Sequence, residues 1–189
     1  MPKNRMLIKK EVSTYAQVLL DAARQAGRQY EISAQLEEMK KVVRMSPGLA
    51  EVLRDTSLPE ATRSEIIGEA FKEFDPDMIK FITVMADRGE IALLPQVAAE
   101  YDRELQEEDN VVILDVATVI PLDDELREKI KAKFGAQFGK EVALREHVDS
   151  WLLGGMNVRA NGKRIDCCTA TRLDKMRVAL SDVTTGGER

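Results

Sequence analysis

The chain has 189 residues, of which 44% are hydrophobic, 32% charged and only 5% aromatic, and its formal net charge is -5. That length suits one large domain or two small ones, and an acidic balance of interspersed charges does not suit a nucleic-acid partner, which asks for a basic face. No stretch approaches the roughly 18 consecutive apolar residues that span a bilayer. The start, MPKNRMLIKK, lacks the apolar segment and cleavage site of a secretory signal and is too short for a mitochondrial transit peptide. The expectation is a cytosolic chain of bacterial source that meets a membrane only through a partner.

The first half reads as helix after helix. Val12, Tyr15, Ala16, Leu19, Leu20, Ala23 and Ala26 recur at three- and four-residue steps, which predicts one apolar face, with Gly27 as terminator. Ile32, Leu36, Met39, Val42 and Val43 repeat the pattern up to Pro47-Gly48, and a short segment follows from Leu49 to Leu53. Pro59 suits the first turn of a helix carrying Ile66, Ile67, Ala70 and Phe71. Asp75-Pro76 predicts an N-cap and first turn, with Met78, Ile79, Ile82, Met85 and Ala86 lining a helix that stops at Gly89. Ile91, Leu94, Val97, Ala98, Tyr101 and Leu105 mark a last long helix. These elements predict a compact N-terminal bundle of six helices.

The character changes near Asp109, after the acidic joint RELQEEDN. NVVILDVATVI is dense in β-branched residues and predicts a strand ended by Pro121. Leu122, Leu126, Ile130 and Phe134 predict a helix over 122–138, KEVALREHVD a second strand, and GGMNVRANGKRID a hairpin turning at Asn161-Gly162. Leu173, Met176, Val178 and Leu180 suggest a final helix, with TTGGER as a mobile tail. The fold class expected is mainly α with a small α/β part: a helical bundle over residues 1–108 and a small α/β domain over 109–189.

Candidate chemistry is sparse. There is no phosphate-binding loop and no dinucleotide fingerprint. Gly154-Gly155 falls within a strand, which points to a bulge or a close backbone approach rather than to phosphate binding. Cys167 and Cys168 are neighbours and read as two reduced thiols, and with His147 the only histidine they lack the spacing of a metal site. The best enzyme constellation is His147, Asp149 and either Cys167 or Ser150, without an elbow or oxyanion loop. The adjacent carboxylates Glu37-Glu38, Glu107-Glu108 and Asp123-Asp124 point apart on helices, and Asp123 or Asp124 suits a helix N-terminus. The residues alone support a two-domain binding protein with no cofactor, no metal and no reaction.

A resemblance goes further. Val148-Asp149, Leu152, Gly154-Gly155, Val158-Arg159, Ile165-Asp166 and Arg172-Leu173 resemble, in type and spacing, the signature region of the ATP synthase delta subunit family, which includes the oligomycin-sensitivity-conferring protein. YAQVLLDAA resembles the family's opening helix and FITVMADRGEIALLPQV its helix–Gly–helix segment, so the resemblance runs from about Tyr15 to Leu180. The chain departs from the pattern at Ser150, where the family often has Pro, and at Cys167-Cys168, where it often has Gly-Ser.

The resemblance implies a non-catalytic peripheral-stalk subunit of an F-type ATP synthase, at the cytoplasmic face of the bacterial inner membrane. It would link the catalytic head to the membrane-anchored b subunits, so that proton-driven rotation is coupled to ATP synthesis. The N-terminal domain would bind the N-termini of the alpha subunits in a groove between the first and fifth helices, carrying Tyr15, Ala16 and Leu19 with Ile79, Ile82, Thr83 and Met85. Sequence does not separate groove from core at these positions. The C-terminal domain would bind the C-terminus of the b subunits, with Gly154 and Gly155 keeping a strand flat and Arg159, Arg164 and Arg172 meeting acidic residues of the stalk. The competing readings are an unrelated helical adaptor and a hydrolase using His147 or Cys167.

Overall fold

The structure is a computed structural model that describes residues 5–55, 58–160 and 162–185, with side-chain burial described as far as residue 180. Its described residues form eight α-helices and one four-stranded sheet, the sheet lying wholly in the C-terminal part. The chain divides into two compact units, Met1–Asp109 and Asn110–Arg189.

The N-terminal unit holds six helices: α1 (Arg5–Gln25), α2 (Gln29–Met45), α3 (Pro47–Arg54), α4 (Glu60–Ala70), α5 (Pro76–Asp87) and α6 (Leu94–Glu108). A short 3-10 turn, Ile91–Leu93, leads into α6. Each boundary has a local cause. Gly27 takes φ +68°, a conformation only glycine adopts without strain, and the chain folds back so that the Arg28 N–H donates to the Ala23 carbonyl at 2.9 Å. Pro47 and Pro76 occupy first-turn positions where no N–H is needed, and Pro59 stands one residue before α4, at its N-cap. At the N-terminus of α5 the Asp75 carboxylate accepts the Asp77 N–H at 3.0 Å. Asn110 follows α6 with φ +52°, which asparagine tolerates better than most residues.

The apolar stripes meet inside this unit. Val12, Ala16, Leu19, Leu20 and Ala23 of α1 are buried, as are Leu94, Val97, Ala98, Tyr101 and Leu105 of α6. Polar contacts fix how helices register. Ser33 of α2 donates to Asp102 of α6 at 2.6 Å, and the Tyr101 hydroxyl donates to the Gln29 carbonyl at 2.9 Å. Arg24 of α1 pairs with Glu108 and Asp109 at the far end of α6. Arg63 of α4, a residue type rarely buried, is enclosed because its guanidinium donates to the Leu58 carbonyl, the Ala86 carbonyl and Asp87.

The C-terminal unit runs β1 (Val111–Thr118), α7 (Asp124–Phe138), β2 (Glu141–Val148), β3 (Gly155–Ala160), β4 (Lys163–Cys168) and α8 (Thr169–Thr185). The sheet order is β2-β1-β3-β4. β1 and β2 are parallel and joined through α7, as a parallel connection requires, while β3 and β4 are antiparallel neighbours. Asp123 is the N-cap of α7, accepting the Leu126 N–H at 2.7 Å, with Asp124 and Glu125 in its first turn. Gly139 ends the helix at φ +65°.

One face of the sheet packs on α7. Val112, Leu114, Val116, Val142, Val158 and Ala160 close around Ile130 and Phe134. Burying each of those two helix side chains contributes about 1.5–3 kcal/mol. Ala160 lies opposite Lys163, so the hairpin loop holds two residues; Gly162 takes φ +72°, and Asn161 lies outside the described residues. The tail reading falls partly outside them too, since Thr184 and Thr185 belong to α8 and 186–189 are not described.

Candidate partner-binding surfaces

On α1, Ala16 and Leu19 are buried in the N-terminal unit and Tyr15 is half-buried beside them. On α5, Ile82 and Met85 are buried, while Ile79 and Thr83 are half-buried. The two helices meet through the rings of Tyr15 and Phe81, edge to face with centroids 6.0 Å apart. At about 100° per residue, Phe81 and Arg88 share one flank of α5, and Ile79 with Thr83 sit roughly 160° around from Phe81. The structure therefore brings Tyr15 together with Phe81 and Arg88, and sets Ile79 and Thr83 on the other shoulder of the buried stripe. The Thr83 hydroxyl turns back to the Ile79 carbonyl at 2.8 Å.

A polar latch closes the Tyr15 flank. The Tyr15 hydroxyl donates to Glu90 at 2.7 Å, Arg88 donates to that hydroxyl at 3.3 Å, and the guanidinium lies 5.8 Å from the ring centroid. Burial, then the bond to Glu90, raises the phenol above its usual pKa, with Arg88 acting the other way. Beside the latch stand two exposed apolar side chains: Val18, one turn along α1 from Tyr15 and 64% exposed, and Val84, one turn along α5 from Phe81 and 46% exposed. Phe81, Val18 and Val84 escape a reading of buried stripes because they lie off the stripe centres.

In the C-terminal unit the diglycine has a definite local role. A Cβ on Gly155, which takes φ +81°, would stand 2.4 Å from the Cys167 carbonyl of β4. At Gly154 it would stand 2.9 Å from the Thr169 hydroxyl, and the Gly154 carbonyl accepts the Thr169 N–H at 2.9 Å. The glycines thus permit a close approach between the start of β3 and the end of β4. Arg159 is exposed on β3, opposite Asp115 of β1 on one side and Arg164 of β4 on the other. Arg172 is exposed on the first turns of α8.

This unit also shows large apolar side chains to solvent. Leu173, Met176 and Leu180 recur along one side of α8 and are all exposed. Trp151 is 93% exposed in the turn after β2, near Val148 and Leu153 in the chain and likewise accessible.

The form of the enzyme constellation that uses Cys167 is not assembled. His147 is on β2 and Cys167 on β4, at opposite edges of the sheet with β1 and β3 between them, a span of about 14 Å at the usual strand spacing. The Asp149 carboxylate instead accepts the Trp151 N–H at 3.0 Å and shapes the turn. Cys167 is exposed and Cys168 buried, as alternation along a strand dictates. Burial pushes the Cys168 thiol up, and its bond with Asp166 adds to the shift. Glu37 pairs with Lys40 and Glu108 with Arg24, so these acids serve ion pairs. Among the described residues no group of three or more His, Cys, Asp or Glu is placed to hold a metal ion.

The class of protein defined here is a two-unit chain, mainly helical with a small C-terminal sheet, each unit with accessible apolar helix surface. Comparison with known proteins gives the family. Residues 12–180 match the family described as the ATP synthase delta (OSCP) subunit, and the chain belongs to it. It is thus a peripheral-stalk subunit of an F-type ATP synthase, active in ATP synthesis and ion transport as part of that complex. The unrelated-adaptor reading falls with this match.

Among curated relatives, the ATP synthase subunit delta of Clostridium botulinum (strain Okra / Type B1) is 27% identical over 164 residues, covering 86% of this chain and 92% of the relative. That of Clostridium kluyveri is 28% identical over 164 residues, covering 86% and 91%. Among solved structures, a chain of the Toxoplasma gondii mitochondrial ATP synthase hexamer matches in fold with a TM-score of 0.51 at 17% identity, covering 89% of this chain and 96% of that one. No described helix is long and apolar enough to cross a membrane.

Proposed function

We propose that this protein is a non-catalytic tie: the N-terminal unit holds the catalytic head, and the C-terminal unit holds the stalk of b subunits. The six helices act as one bundle that binds the N-termini of the alpha subunits. Ala16, Leu19, Ile82 and Met85 form the buried floor under that surface. Tyr15, Phe81, Val18 and Val84 form its accessible rim, and Ile79 and Thr83 the other shoulder of α5. An amphipathic helix laid against such a rim buries apolar surface that is otherwise wet. The C-terminus of the b subunits covers the α8 stripe of Leu173, Met176 and Leu180, with Arg159, Arg164 and Arg172 facing its acids and Gly154-Gly155 shaping the adjoining hairpin.

The observation that carries this reading is the exposure of apolar side chains on helices of both units. A stator resists torque through wide interfaces, and no bond need be made or broken in it. The complex then sits at the cytoplasmic face of a bacterial inner membrane, and this chain reaches that membrane only through its neighbours. The test is reconstitution. Full-length protein added to synthase-bearing membranes stripped of their delta subunit restores proton-driven ATP synthesis. Failure to restore it, or turnover of a substrate by the purified chain, overturns the proposal.

A further inference from the structure

The contact between α1 and α6 contains a carboxylate that packing does not satisfy. Glu104 of α6 is 8% exposed. One of its oxygens receives only a long bond from the Ser13 hydroxyl of α1, at 3.4 Å, and the other oxygen has no hydrogen-bond partner. A carboxylate with one buried oxygen unpaired is costly to keep ionised, because no strong donor stabilises that oxygen's charge.

The neighbours relieve it only in part: Ser13 and Arg103 favour the charged form, but burial and Glu100 outweigh them. Glu100 and Glu108 lie one turn before and one turn after Glu104 on the same side of α6. Arg103, the nearest cation on the helix, is bonded to Glu100 and Glu107. From α1, Arg24 is engaged by Glu108 and Asp109, and Lys9 acts on Glu100. On the α2 side, the Ser33 hydroxyl is committed to Asp102 and Gln29 takes the Tyr101 hydroxyl on its carbonyl. Among the described residues, Ser13 is the one hydrogen-bond donor to Glu104, while Arg24, Arg103 and Ser33 are engaged by other carboxylates.

We propose that Glu104 makes the packing of α1 on α6 respond to pH: the contact tightens when this carboxyl takes up a proton and loosens when it releases it. Burial is the main cause holding the proton on, with Glu100 next, and both raise the pKa above the ordinary 4.5. The sign follows. A raised acid pKa means the folded unit binds the proton more tightly than the unfolded chain, so stability falls as pH rises past the ordinary carboxylate range. This is opposite to Asp75 and Glu100, whose carboxyls are held below their usual values.

A consequence rests on the binding surface proposed above. α1 carries Tyr15 and Val18, so a looser α1 weakens the grip on an alpha N-terminal segment at higher pH. The primary test does not need that surface. Thermal unfolding of the full chain, followed by helical circular dichroism at about pH 5 and about pH 8, compares wild type with Glu104→Gln, an isostere of the protonated acid. The variant unfolds higher than wild type at the upper pH by about 4 °C or more, and the two converge at the lower pH. Parallel profiles overturn the proposal. Should the variant fail to fold, carboxyl-carbon NMR of wild-type Glu104 decides: a titration midpoint above that of an ordinary glutamate supports it, and one at or below that value overturns it.

Discussion

The hydroxyl of Tyr15 reaches 75 positions along the chain to donate to Glu90 at 2.7 Å, and so ties the second turn of α1's apolar stripe to the turn that precedes α6. The same ring meets Phe81 edge to face, so one side chain joins three segments. Tyr15→Phe keeps the ring and removes the bond. It costs about 0.5–1.5 kcal/mol, read by urea unfolding of the full chain. Tyr15→Ala costs more and also weakens binding of a peptide from the alpha N-terminus. Equal effects from both variants would show that the hydroxyl, not the ring, carries the contact.

Asp75 joins two devices, the N-cap of α5 and an ion pair with Arg28. Asp75→Ala loses both and destabilises by about 1–2 kcal/mol. Asp75→Asn keeps a good cap and loses only a partly exposed pair, so it costs a fraction of that. The Asp77 N–H, then Arg28, holds the carboxyl below its ordinary 3.8. A lowered acid pKa gives stability that is complete above the unfolded value and is lost as pH falls through the folded one. Acid unfolding of Asp75→Asn below about pH 4 is therefore shallower than that of wild type.

Gly155 and Gly162 separate two costs of adding a methyl group. Both have positive φ, but a Cβ at Gly162 meets nothing within 4 Å, whereas at Gly155 it meets the Cys167 carbonyl at 2.4 Å. Gly162→Ala costs about 1–2 kcal/mol from the backbone conformation alone. Gly155→Ala adds a clash with rigid main chain and costs roughly 2–4 kcal/mol. Equal losses in thermal unfolding would contradict the close approach of β3 and β4.

His147 and Cys167 stand at opposite edges of the sheet. Alanine at either position leaves proton-driven ATP synthesis in reconstituted membranes unchanged. A large loss of rate from either substitution, with assembly intact, would reopen a chemical role for these residues.

Much of the fold was legible because its signals are local. The stripe from Ile91 to Leu105 runs without interruption through the 3-10 turn into α6, and all six residues named from it are buried. Asp75-Pro76 announces a helix start by chemistry that needs no tertiary partner. The diglycine announced a bulge or a close approach, but not which of the two, nor that Cys167 lies across from it, since strand register is absent from local pattern. The flanks of α5 were illegible for a related reason. Periodicity finds the centre of a buried stripe; which shoulder faces α1 depends on packing, and that packing chose Phe81. Arg63 gave no signal, because only its converging carbonyls make burial tolerable. α8 is the reverse case: its stripe is plain in the sequence, yet periodicity says only that a face exists, and here that face is exposed.

The claim that the chain grips two neighbours at once is tested most directly by calorimetry on the full-length protein with two peptides, one from the N-terminus of alpha and one from the C-terminus of b. Both bind, each in the presence of the other. Val18→Asp with Val84→Asp weakens the first by about tenfold or more and spares the second, and Leu173→Asp with Met176→Asp does the converse. A folded chain that binds neither peptide, or whose affinities ignore both pairs of substitutions, would contradict the account.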